Sequence, residues 1–221
     1  MAVITISKEH GAGGKNLSEA IARALGYELV DKTLIAKVAQ QAKVSASKVE
    51  RYDQEEYSPL AKYLDNLFLA NPPLSAPGAF DLPVSAAGMV AGLGEKYDFF
   101  NSEQYLKLTQ TAITGLYDKG DVVLVGRGGQ VLLAGKPGCL HLRIAAPLEM
   151  RVKRMTAKLN VTAKEAQEII HKRDRSRASY IKDYYGRDWN DAALYHLVLN
   201  TALWDEQQVV ALVQAAVKQL T

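Results

Sequence analysis

The residues of this 221-residue chain best suited to chemistry stand in an early window, Glu9-His10-Gly11-Ala12-Gly13-Gly14-Lys15-Asn16. Glycines at this spacing let backbone N–H groups close round an anion, and a helix starting behind them adds partial positive charge. Against the phosphate-loop pattern G-x-x-x-x-G-K-[ST], Gly14 and Lys15 match. Glu9 stands where the leading glycine belongs, and Asn16 replaces the hydroxyl that would touch Mg²⁺. A glycine turn with a solvated lysine would have the same composition. The window also reads as a dinucleotide fingerprint without its third glycine, Gly11-x-Gly13-x-x-Asn16. Asp31 then lies twenty residues beyond Gly11, where a ribose-binding acid would sit.

Arginines supply the second set of candidates. Arg127 sits between glycines, Gly126-Arg127-Gly128-Gly129, directly after an apolar run. A guanidinium there can grip a phosphate through two parallel hydrogen bonds, or pair with a neighbouring carboxylate. In His171-Lys172-Arg173-Asp174-Arg175-Ser176-Arg177, Arg173 and Arg177 share a helix face at i,i+4, and Asp174 neighbours Arg177 at i,i+3. Such a run is either a solvated face or a clamp for an anion. The histidines (His10, His141, His171 and His196) have no metal-ligand spacing, and none is assigned a catalytic role.

Positioning these residues requires a particular set of elements. Apolar runs at Ala2–Ile6, Tyr27–Val30, Asp121–Val125, Cys139–Ala145 and Tyr195–Leu199 read as five strands. Helical periodicity fills the intervals: Lys15–Leu25 with Gly26 as a stop, then residues 34–69. Further helices start at Asn101 (an Asn101–Gln104 capping box), after Gly129, at Pro147, at Thr162 and at Asp205. Residues 71–94, rich in proline and glycine, follow neither period and read as a long loop that is either functional or partly mobile. Strands alternating with helices imply right-handed crossovers and a three-layer α/β/α fold on a five-stranded parallel sheet. Ligands then bind beyond the carboxyl ends of the strands. The loops there are Ser7–Gly14, Asp31, Gly126–Gly129 and Asn200-Thr201, which hold most of the candidates.

Composition narrows the function class. Apolar residues at 48% and charged residues at 23% exclude wholesale disorder, and no apolar run approaches a membrane span. The start, Met1–Ile6, lacks a basic leader and reads as structure. One cysteine, Cys139, rules out a disulfide framework and fits a reducing, cytoplasmic setting as an inert strand residue. The formal charge of +3 is unevenly spread: residues 150–187 carry a balance of +7 and the rest −4. A near-neutral body with one basic segment favours a local anion site over a surface for nucleic acid.

Taken as a series, Ile4–Gly14, Gly26-Tyr27 with Val30-Asp31-Lys32, Val125–Gly128, Lys172–Ala178, Tyr184-Tyr185-Gly186 with Trp189, and Val198–Thr201 resemble the cytidylate kinase-like proteins. These are a divergent branch of the bacterial cytidylate kinases within the nucleoside monophosphate kinases. The resemblance implies a phosphate-loop (P-loop NTPase) fold over residues 1–221, with a substrate-binding insertion at 32–100 and a basic helical lid at 155–188. It implies that Gly11, Ala12, Gly13, Gly14, Lys15 and Asn16 cradle donor phosphates, and that Asp31 lies beside the monophosphate region. Arg127 would hold the acceptor phosphate, while Arg173, Asp174 and Arg177 would meet the phosphates and the acceptor from the lid. Lys15, Arg127, Arg173 and Arg177 are the expected catalytic cations, with ATP as donor, Mg²⁺ as its counterion and no protein side chain assigned as a metal ligand. Small nucleotides, CMP or dCMP foremost, are the expected partners, with neither nucleic acid nor membrane. A catalytically degenerate nucleotide sensor and a kinase of another small acceptor are the alternatives. The chain departs from cytidylate kinases in ending its loop Gly-Gly-Lys-Asn rather than Gly-Lys-Gly-Thr. Ile169 and Ile170 also occupy the turn where an arginine is expected before Arg173.

Overall fold

A computed structural model describes residues 1–31 and 102–220. The insertion expected at 32–100, the helical pattern at 34–69, the 71–94 loop and the Asn101 cap lie outside the described residues.

Five strands form one parallel sheet: β1 (Val3–Lys8), β2 (Glu28–Val30), β3 (Val122–Val125), β4 (Cys139–Ala145) and β5 (Leu197–Asn200), in the order β2-β3-β1-β4-β5. Val122–Val125 and most of β1 and β4 are buried, as strands covered on both faces must be. Val3, Val122 and Leu124 point to one layer, holding Ile113 and Leu116 of α2 (Ser102–Lys119) and Tyr180 and Ile181 of α5 (Ala163–Tyr185). Ile4, Ile6, Val123 and Val125 point to the other, against Leu17 and Ile21 of α1 (Gly14–Leu25) and Val209, Val213 and Val217 of α6 (Glu206–Lys218). Side-chain alternation along each strand thus builds the expected three layers. Between them run the short α3 (Gly129–Leu132) and α4 (Leu148–Leu159), the latter packed on α5 through Met155, Ala166 and Ile170.

The helix starts follow local chemistry. Thr162 and Glu165 form a reciprocal capping box on α5, and Asp205 and Gln208 form another on α6. The Glu165 carboxyl is held below its ordinary pKa by hydrogen bonds from the Thr162 backbone and hydroxyl. The last strand begins two residues later than the apolar run at Tyr195 suggests. A 3₁₀ turn at Ala192–Leu194 swings Tyr195 into the interior, where its hydroxyl donates to the Trp189 carbonyl at 2.8 Å.

Register sets the position of the site. Ile6 lies opposite both Val125 and Leu142, and the Gly126 N–H donates to the Ile6 carbonyl at 2.9 Å. The turns after β1, β3 and β4 therefore emerge together at one edge. Chain direction switches there from β3, on one side of β1, to β4 on the other. Such a switch point is where open α/β sheets place ligands. In a dinucleotide-binding sheet β2 lies next to β1. Here β3 separates them, so Asp31 leaves the sheet two strands away from the glycine loop. This order removes the dinucleotide reading that spacing alone allowed.

Candidate active site

The turn after β1 opens onto a cleft of about 1090 Å³ lined by the whole segment from Lys8 to Leu17. Gly11 and Gly13 have φ of 82° and 81°, a left-handed conformation that glycine adopts without steric cost. Space demands glycine at Gly11 as well. A Cβ there would sit 3.0 Å from Met155 Cγ and 3.2 Å from the Arg151 carbonyl on α4. Gly13 caps α1 without a side-chain hydrogen bond, which leaves the first-turn amides of the helix facing the cleft.

Long-range polar contacts fix this turn, and none of them is visible in the sequence pattern. Glu9, in the place of the leading glycine, accepts from Arg143 Nη2 and from the Ala146 N–H, both at 3.2 Å, and pairs with Arg151 Nε at 3.5 Å. Arg143 is buried and stacks over the Trp189 ring, 4.3 Å from its centroid, donating to the Trp189 carbonyl and to Asn190 Oδ1. Asp174 accepts the His10 N–H at 2.8 Å and takes a 2.5 Å hydrogen bond from Arg151. Thr201, at the end of β5, donates to the Ala12 carbonyl at 2.9 Å and accepts from Arg154 through both its hydroxyl and its carbonyl. Arg154 Nη1 thereby comes within 3.6 Å of where a Cβ on Gly13 would be. Arg143, Arg151 and Arg154 are functional candidates that spacing does not name, while Glu9 and Thr201 lie in loops that it singles out without giving either a role. The one available signal was charge, an arginine within the apolar run of β4.

Beside the cleft lies a small recess of about 10 Å³, lined by Ser7, Lys8, Asp31, Arg127 and Arg177 among others. That is room for about one water-sized group. Arg127 is only 3% exposed and has a φ of 61°. A non-glycine residue in this region costs roughly 1–2 kcal/mol, and such strain collects at functional positions. Tyr185 of α5 holds the turn in place: its hydroxyl donates to the Arg127 carbonyl at 3.2 Å, and its ring covers Gly128. Arg177, 4% exposed, reaches the recess from α5 and contacts Asp174 at 3.4 Å.

The sequence-named residues therefore divide. Gly11, Ala12, Gly13, Gly14, Lys15, Asn16, Asp31 and Arg177 line the cleft, and Arg127 joins Asp31 and Arg177 at the recess. Asp174 lies behind the loop and holds it. Arg173, on the same helix, is half-buried and lines neither space. The Lys15 side chain is 69% exposed and pairs with Glu19 at 3.8 Å along its own helix. Ser18, the hydroxyl nearest in sequence to the missing serine or threonine, is buried and donates back to the Gly14 carbonyl at 2.5 Å. Cys139 is buried in β4, and that burial pushes its thiol up to about 11, consistent with an unreactive strand residue. His141 and His196 stack on each other at 4.9 Å and line neither the cleft nor the recess. Among the described residues there is no cluster of three or more His, Cys, Asp or Glu side chains able to hold a metal, and no helix long and apolar enough to cross a membrane.

Known proteins resemble this chain in sequence and in fold. The model of the cytidylate kinase-like family matches residues 3–203. A cytidylate kinase of Methanopyrus kandleri is 34% identical over 111 residues, which are 47% of this chain and 58% of that protein. A cytidylate kinase of Pyrococcus horikoshii is 32% identical over 105 residues, 46% of this chain and 52% of that protein. The chain thus spans little more than half the length of these curated relatives. Among solved structures, an uncharacterized protein from Eubacterium ventriosum superposes with a TM-score of 0.65 at 16% identity, covering 99% of each chain. That likeness establishes the shared fold.

Proposed function

The chain belongs to the cytidylate kinase-like family, and we propose that it transfers a phosphoryl group from ATP to a nucleoside monophosphate, CMP or dCMP by preference. The observation that carries this reading is the adjacency of two anion sites: the glycine-loop cleft, and the recess where Arg127 and Arg177 meet. Donor phosphates fit along Gly11–Gly14 against the start of α1, where oriented amides stabilise negative charge. Arg154, locked onto Thr201, adds a cation over Gly13. Trp204, 43% exposed at the cleft wall, offers a face on which the donor base can stack.

Arg127 and Arg177 hold the acceptor phosphate at the mouth of the recess, which itself admits only a water-sized group, and so align it with the donor. A phosphate monoester has a second pKa near 6, so the acceptor is mostly dianionic at neutral pH and attacks without a general base. The chain's contribution is alignment and charge neutralisation, which is how phosphoryl transfer is catalysed in general. Mg²⁺, when bound with ATP, would neutralise charge that builds up on the donor oxygens. Mg²⁺ keeps most of its water shell and takes one or two carboxylates. Asp31 and the Asn16 amide oxygen, both at the cleft, are chemically suited to hold it.

The competing reading is a nucleotide sensor that binds without transfer, favoured by the outward-facing Lys15 and by Asn16 in the hydroxyl position. ADP release from ATP and Mg²⁺, measured across CMP, dCMP, UMP, AMP, GMP and small non-nucleotide alcohols, separates the two. Release with CMP or dCMP supports the kinase, and release with another acceptor reassigns the substrate. No release, accompanied by a nucleotide-dependent thermal shift, supports the sensor.

A further inference from the structure

We propose that Lys8, at the end of β1, is the lysine that bridges the transferred phosphoryl group, the role the sequence pattern gives to Lys15. The inference rests on the kinase reading above and names a further catalytic residue within it. Among the described residues only Lys8, Asp31 and Arg177 line both the cleft and the recess, so Lys8 stands on the path from donor to acceptor. Its aliphatic stem is aimed by Gly14. A Cβ at that position would lie 2.7 Å from Lys8 Cβ, 2.9 Å from Cδ and 3.3 Å from Cγ. The bare glycine is therefore the groove along which the lysine runs over the loop. Lys15 is turned toward solvent and Glu19.

In the transfer step, an oxygen of the acceptor phosphate forms a bond to the γ-phosphorus. The bond from that phosphorus to the β–γ bridging oxygen breaks, and ADP leaves with the electron pair. Lys8 stays protonated throughout and donates hydrogen bonds to the moving group. A charge-assisted hydrogen bond of this kind contributes about 1.5–3 kcal/mol, or roughly 10–100-fold in affinity.

Calorimetric titration of MgATP and MgADP into the wild-type chain, Lys8→Met, Lys8→Gln and Lys15→Met tests the assignment. The expected result is ATP binding weakened about 10-fold or more by both Lys8 variants, with ADP binding kept within about 2-fold. Lys15→Met is expected to weaken both nucleotides equally and by less than about 3-fold. Selective loss of ATP in Lys15→Met, or equal loss of ATP and ADP in the Lys8 variants, would overturn the Lys8 role while leaving the kinase reading in place. A wild-type chain that binds neither nucleotide would remove the kinase reading itself.

Discussion

The Asp174 carboxylate on α5 accepts the backbone N–H of His10 at 2.8 Å, joining two residues 164 positions apart. The same carboxylate binds Arg151 of α4 and touches Arg177. One acidic side chain thus ties the basic helix, the neighbouring helix and the glycine loop together. Asp174→Ala removes the anchor and leaves Arg151 in a mostly buried site with weaker compensation. Breaking one partner of such a pair costs about 3 kcal/mol, somewhat less where water reaches it. Denaturant unfolding is expected to show that loss, and nucleotide affinity is expected to fall with it as the loop loosens. An unchanged midpoint and unchanged affinity would mean the contact holds nothing.

Gly128 is expected to tolerate no side chain. An added Cβ would come within 2.4 Å of Tyr185 Cε2, on a backbone with φ of 73°. Gly128→Ala should therefore displace Tyr185 and the Arg127 turn it covers, at a cost of roughly 2 kcal/mol or more. Acceptor KM should rise more than ATP KM. Pairing it with Tyr185→Leu should recover part of the stability, because the clash is with the ring.

Much of this architecture is legible in the sequence, for identifiable reasons. The strands are mainly apolar runs, β3 wholly so, and the glycine loop, the Gly126–Gly129 turn and the Thr162 cap announce themselves by local composition. Contacts such as Glu9 with Arg143 span 134 residues, and no spacing rule connects positions so far apart. Glu9 reads as a defect in the phosphate-loop pattern until β4 and α4 are placed against it. Lys15 fits that pattern by position, yet it points along its own helix. Side-chain direction depends on the turn the glycines make, which residue identities alone do not encode.

Acid is expected to destabilise the fold through His141. Burial, with His196 stacked beside it, lowers its pKa from the ordinary 6.5 to about 4. The unfolded chain takes up that proton below pH 6.5, while the folded chain does so only near pH 4. Stability from this residue is therefore complete above pH 6.5 and is lost as pH falls from about 6.5 to about 4. The full effect is roughly 3 kcal/mol. Unfolding free energies measured at pH 7 and pH 4.5 check the slope, and His141→Asn should flatten it.

Trp204 should report nucleotide binding directly. It is half-exposed at the cleft, whereas Trp189, the other tryptophan, is buried under Arg143. ATP is expected to quench the Trp204 emission. Trp204→Ala should abolish the quench and weaken ATP by about 10-fold, the scale of one base stacked on an aromatic ring. A quench that survives in Trp204→Ala would place the base elsewhere.

The adjacency of a donor cleft and an arginine-lined acceptor recess is tested most directly by CMP-dependent ADP formation in the purified chain and in Arg127→Ala. With ATP and Mg²⁺ present, the expected result is turnover that depends on CMP or dCMP in the wild type, and a loss of several orders of magnitude in Arg127→Ala with ATP affinity retained. Turnover in Arg127→Ala close to that of the wild type would contradict the assignment of the recess to the acceptor phosphate.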